Sequence, residues 1–109
     1  MPREALGELE HRVMLAILRL GGEAYSVPVA LEIEMRTGRK VAQSAVFIAM
    51  RRLEGKGLLE SRLEENADGR RDRVRRHYRP TPAGMERLRN TRRDLVSLWE
   101  GIERVVEEG

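Results

Sequence analysis

The sequence predicts a mainly α fold with one small β-hairpin, on three observations. Apolar residues recur at helical spacing in three short segments before residue 55, each followed by glycine. The period then drops to two over residues 59–64 and 74–79, on either side of a turn signal. Helical spacing returns after Pro82 and continues almost to the last residue.

In the first segment Leu6, Leu9, Val13, Ile17 and Leu20 step by three and four, one face of an amphipathic helix that Gly21 and Gly22 stop. A second helix fits residues 26–37. Ser26 is its expected N-cap, Pro28 falls in the first turn where a missing N–H costs little, and Gly38 ends it. Val27, Ala30, Leu31 and Met35 are expected to face inward, with Val29 and Ile33 blurring the stripe. A third helix over residues 42–54 places Val46, Met50 and Leu53 on one stripe with Ala49 beside them, closed by Gly55 and Gly57. Gln43, Ser44, Phe47, Ile48 and Arg51 then point away from the core.

Leu59, Ser61 and Leu63 alternate with charged residues, as do Val74, Arg76 and Tyr78, and Asn66-Ala67-Asp68-Gly69 between them supplies the turn. Three helices and a hairpin in this order make a winged helix-turn-helix, expected over residues 1–80. Thr81-Pro82 is an N-cap followed by proline at the first helical position. From there a single helix reaching residue 107 would be about 40 Å long. Leu88, Leu95 and Ile102 are spaced by seven, Leu98 and Val105 take the d-type positions, and Trp99 and Val106 widen the stripe, although Thr91 and Arg92 interrupt it. So long a helix cannot bury its far half on so small a core. Residues 81–109 are therefore expected to be a dimerisation helix packed on the same domain, with Leu88, Leu95, Leu98, Trp99, Ile102 and Val105 at the interface of a homodimer.

Composition narrows the function. The chain has 109 residues, 40% hydrophobic and 36% charged, enough for a thin core that a second subunit would help to stabilise. With no cysteine there is neither a disulfide scaffold nor a Cys-ligated zinc site. No apolar run approaches the roughly 18 to 20 residues of a membrane span. Glu4, Glu8 and Glu10 are the wrong chemistry for a signal peptide, so a soluble, cytoplasmic protein with no membrane partner is expected. His11 and His77 are isolated, and Ser26, Ser44, Ser61 and Ser97 have no nucleophile setting. Neither enzyme activity, nor a metal, nor a cofactor is expected.

The net charge of +3 is unevenly placed. Residues 66–79 hold six arginines against Asp68 and Asp72, whereas the last ten residues carry four glutamates against Arg104. One surface suits a polyanion and another avoids it. The third helix is the candidate for the major groove of double-stranded DNA. Gln43 and Ser44 in its first turn can hydrogen-bond base edges, and Phe47 lies on the same face. Arg39 and Lys40 just before it, and Arg51 two turns on, are placed for phosphate oxygens. Arg70, Arg71, Arg73 and Arg75 at the hairpin suit phosphates or the minor groove, where the arginine fork is favoured. Trp99 is read first as packing in the helical seam. The alternative is a cavity between two copies in which it stacks on a small, flat aromatic effector.

These residues also carry a family resemblance. Ala24-Tyr25-Ser26-Val27 resembles the Gly-Tyr-Glu-Ile that opens the second helix of PadR regulators. VAQSAVFIAMRRLE, residues 41–54, resembles their recognition helix and runs on into Gly57-Leu58-Leu59-Glu60-Ser61. His77-Tyr78-Arg79 with Thr81 and Gly84 is similar to their YYRLTEEG. The resemblance implies a dimeric winged helix with a C-terminal dimerisation helix and, most often, transcriptional repression, relieved in some members by small aromatic molecules. The sequence departs from the pattern at Ala42-Gln43-Ser44-Ala45, Phe47 and Ile48, which removes the family's usual hydroxyl contacts and implies a different operator or compensation by Gln43 and Ser44. The rival reading is a winged-helix protein-interaction module without specific DNA binding.

Overall fold

The computed structural model describes residues 6–64 and 75–109. Seven elements follow one another: α1 (Glu8–Arg19), α2 (Ser26–Thr37), α3 (Gln43–Gly55), β1 (Leu59–Glu64), β2 (Arg75–Pro80), α4 (Pro82–Trp99) and α5 (Glu103–Glu108). The first three helices pack on one another around Val13, Met14, Ile17, Val29, Val46, Met50 and Leu53, and the hairpin closes the core with Leu59 and Tyr78. This is a winged helix-turn-helix, mainly α with a small β-hairpin, as the hydrophobic periods predict.

α1 starts where Gly7 N–H donates to the Glu10 carboxylate at 2.9 Å. Glu10 is buried, and Lys56 at the end of α3 donates to both of its oxygens at 3.0 and 3.1 Å. Burial works against the charge. The Gly7 N–H, Lys56 and Arg52 together outweigh it and hold the carboxyl below its usual range.

α2 has the expected bounds, and Ala30 packs on the core as expected, but Leu31 and Met35 do not face inward. Val29 and Ile33 are buried, whereas Leu31 is 55% and Met35 81% exposed. Two apolar stripes compete on this helix, and its neighbours decide between them: α1 and α3 are seated against the short β-branched pair, and the longer side chains are left outside. Ser26 is likewise not the N-cap. Tyr25 occupies that position without a side-chain cap, and Ser26 is the first helical residue.

The hairpin strands pair antiparallel, with Leu59 opposite Pro80, Ser61 opposite Tyr78 and Glu64 opposite Arg75. Ala24 and Tyr78 exchange both backbone hydrogen bonds, at 3.1 and 2.8 Å, so the connection between α1 and α2 is bridged to the other edge of β2. Arg76 donates to Ser61 Oγ at 2.9 Å, and Ser61 in turn donates to the Glu54 carboxylate, which fixes the hairpin against α3.

α4 is clamped where it begins. Thr81 N–H donates to Leu58 O, its hydroxyl donates to Gly57 O at 2.6 Å, and the same oxygen accepts from Gly84 N–H at 3.0 Å. Gly84 is packed so closely that a Cβ there would lie 2.1 Å from Leu58 O. The expectation of one helix to residue 107 does not hold. α4 ends at Trp99, and Gly101, at φ 87°, turns the chain before α5. Glycine is a poor helix former, and the exposed last turn of α4 has no packing to offset that cost. Leu88, assigned above to the intersubunit seam, is buried in the chain's own core instead.

Candidate nucleic-acid interface

One face of α3 is committed to the core through Val46, Ala49, Met50 and Leu53. The opposite face therefore has a fixed direction. Gln43, Phe47 and Arg51, spaced by one turn each, are exposed along it, with Ser44 beside Gln43. The Arg51 guanidinium lies 5.9 Å from the centre of the Phe47 ring, so the aromatic side chain steadies the cation. Arg39 and Lys40 are exposed in the connection that leads into α3. Gln43 Nε2 reaches Ser26 Oγ at 3.5 Å and so links the first turns of α3 and α2. Ser26 is free for this contact because it does not cap α2.

The hairpin presents a second basic region beside this face. Arg75 is exposed and sits 4.7 Å over the Tyr25 ring, and His77 meets the same ring edge-on at 5.5 Å. His77 also contacts the Glu64 carboxylate across the strand pair. Other arginines of the hairpin are engaged locally. Arg62 grips Glu23 with two hydrogen bonds of 2.8 and 3.0 Å, Arg79 pairs with Glu60 at 2.7 Å, and Arg76 holds Ser61. Among the described arginines of the hairpin, Arg62, Arg76 and Arg79 are held by hydrogen bonds to neighbouring side chains, whereas Arg75 is exposed and packs on the Tyr25 ring. Arg70, Arg71, Arg73 and the turn at 66–69 lie outside the described residues.

Neither Tyr25 nor Ser26 is among the DNA-binding residues expected from the sequence, yet both border this surface. The signal was the Ala24-Tyr25-Ser26-Val27 segment itself, whose tyrosine packs against the outward arginine of the hairpin.

A second surface lies at the far end of α4. Leu95, Leu98, Trp99, Ile102 and Val105 are all exposed, with Leu98 at 72% and Trp99 at 46%. A groove of about 910 Å³ runs between this end of α4 and α1, lined mainly by Leu15, Leu18, Leu95, Val96 and Trp99. His11 borders it, and burial pushes its imidazole below the usual value. Among the described residues no group of His, Cys, Asp and Glu could hold a metal ion, and no helix is long and apolar enough to cross a membrane.

A helix-turn-helix with its third helix turned outward beside a basic hairpin defines a winged-helix DNA-binding protein. The particular family follows from comparison. The profile of the PadR-like family of transcriptional regulators matches residues 14–90, and the chain belongs to that family. It is therefore a transcriptional regulator and not an enzyme. No curated protein sequence matches significantly. Among solved structures, a PadR family regulator from Eggerthella lenta is similar at 27% identity and TM-score 0.69, over 89% of this chain and 82% of that one. A PadR family regulator from Clostridium difficile shares the fold at 18% identity and TM-score 0.67, over 94% of this chain and 97% of that one. A winged-helix DNA-binding protein from STIV shares it at 15% identity and TM-score 0.64, over 84% and 90%.

Proposed function

We propose that this regulator is a cytoplasmic repressor that binds a pseudo-palindromic operator as a homodimer. The observation that carries the reading is the outward stripe Gln43–Phe47–Arg51, with Ser44, on a helix whose other face is locked into the core. In this reading α3 of each copy enters one of two successive major grooves, with Gln43 and Ser44 at base edges and Phe47 against the groove wall. Arg39, Lys40 and Arg51 take phosphates, while Arg70, Arg71, Arg73 and Arg75 hold the adjacent backbone or minor groove. The exposed stripe Leu95, Leu98, Trp99, Ile102 and Val105 is the dimer interface, a reading supported by the apolar groove beside it. A small, flat aromatic effector stacked on Trp99 in that groove would release the operator by shifting the two subunits.

The test is to select bound fragments from the host genome and to titrate the best of them with salt. A repeated, two-fold symmetric site is expected. Replacing Arg70, Arg71 and Arg73 with alanine should weaken binding to every sequence alike and lower the log–log salt slope by as much as about 2.7. An unchanged slope removes the hairpin from the interface. Absence of any enriched sequence favours a protein-interaction module instead.

A further inference from the structure

Two large apolar side chains of α3 are exposed, Phe47 and Ile48, and their settings differ. Ile48 faces α1, where it lines a hollow with Gly7, Leu9 and Glu10. Phe47 instead lies in the middle of the outward stripe, one turn after Gln43 and one turn before Arg51. A phenyl ring donates no hydrogen bond, so it offers nothing to a phosphate oxygen or to the acceptor atoms of a base. Left in water it is apolar surface on an otherwise polar face. In the major groove the base edges present one apolar group, the 5-methyl of a pyrimidine. Thymine always carries that methyl, and cytosine carries it once it is methylated at C5.

We infer, building on the DNA-binding reading, that Phe47 determines specificity by packing on the 5-methyl group of a pyrimidine in each half-site. The Arg51 guanidinium, 5.9 Å from the ring centre, narrows the positions open to the phenyl before DNA arrives. Gln43 lies four residues earlier, about 6 Å back along the helix, which corresponds to roughly two base-pair steps. Its amide suits adenine, whose N6 donates and N7 accepts. The half-site therefore holds an adenine and a 5-methylpyrimidine within about two base pairs of each other. The outward stripe then reads by two chemistries, hydrogen bonding at Gln43 and apolar contact at Phe47.

The test uses the operator selected from the genome and the full chain. Each thymine is replaced in turn by deoxyuridine, which pairs identically and lacks only the methyl group. At one thymine per half-site, binding should weaken about fourfold, the factor that burial of a single methyl is worth, and about fifteenfold with both half-sites changed. Phe47→Ala should bind the thymine and deoxyuridine operators alike, whereas Phe47→Leu and Ile48→Ala should keep the preference. Tighter binding after C5-methylation of an operator cytosine, again lost in Phe47→Ala, supports the same contact and makes 5-methylcytosine its source. A specific operator at which no 5-methyl group affects binding overturns the inference and leaves the DNA-binding reading standing. So does a methyl preference that survives Phe47→Ala or disappears in Ile48→Ala. Failure to enrich any sequence overturns the DNA-binding reading and this contact with it.

Discussion

Over its first turns α4 lies against the hairpin and Met14 in the middle of α1, with Gly84 and Leu88 buried and Thr81 tied to the turn at Gly57–Leu58. Over its last turns the same kind of apolar spacing, Leu95, Leu98 and Trp99, faces water. Periodicity therefore says that a helix has an apolar side and leaves open which chain covers it. The first half of α4 is stabilised within the subunit. The second is stable only if something outside the subunit meets it, which in this family member we assign to a second copy.

The largest expected effect breaks the arm from the head. A chain ending at Thr91 loses Leu95, Leu98 and Trp99, each worth roughly 1.5–3 kcal/mol if buried at an interface. It should sediment as a monomer or aggregate, and its affinity for the operator should fall by about a hundredfold or more, because the two half-sites no longer share a tether. A stable dimer of the truncated chain would move the interface away from α4. Trp99, the sole tryptophan, should report an aromatic ligand in the groove by fluorescence quenching.

Next comes the junction between the two regions. Gly84→Ala forces a Cβ against Leu58 O and should cost about 3 kcal/mol, a fall in melting temperature of roughly 12–24 °C. Gly55 is helical with open space around it, so Gly55→Ala should instead stabilise by about 0.5–1 kcal/mol. Equal responses at the two glycines, measured by thermal unfolding, would show that the close approach at Gly84 is not sustained in solution.

Within the head, Gln43→Ala should alter base preference more than non-specific affinity, by about 1–3 kcal/mol at the position it reads. An operator library with unchanged preferences would exclude Gln43 from base recognition. The smallest effect expected is that of Glu10. Its carboxyl ionises more readily in the folded chain than in the unfolded one. It therefore stabilises above the ordinary carboxylate pKa, and that stability is lost as pH falls through its lowered folded value. Glu10→Gln should be less stable at neutral pH and should lose less on acidification; parallel stability–pH curves for the two proteins would contradict the ion pair.

The sequence was most legible where one face had a single way to be buried. Val13 and Ile17 on α1, and Val46, Met50 and Leu53 on α3, are core residues because their helices carry a well-marked apolar stripe. α2 was harder. Val27, Leu31 and Met35 keep helical spacing as well as Val29 and Ile33 do, and only the positions of α1 and α3 separate the two sets. Gly101 was hidden inside an otherwise continuous pattern, since one unfavourable residue is tolerated in a packed helix and ends an unpacked one. In the hairpin, the arginine count marked a basic element but not the division of labour. Arg62, Arg76 and Arg79 find partners on residues distant in sequence or across the strand pair, contacts that composition does not encode.

Gly84 has a mechanical consequence. Where α4 touches Leu58 O, the helix rests on a fulcrum, and Trp99 lies about 22 Å further along it. A tilt of about 10° at that pivot would carry the tip by about 4 Å, a change comparable to the rise of one base pair. In a two-fold dimer held together at its tips, the lever also works in reverse and fixes how far apart the two copies of α3 stand. The smallest residue in the chain would then set the span between half-sites that the protein can bridge, without coming near the DNA.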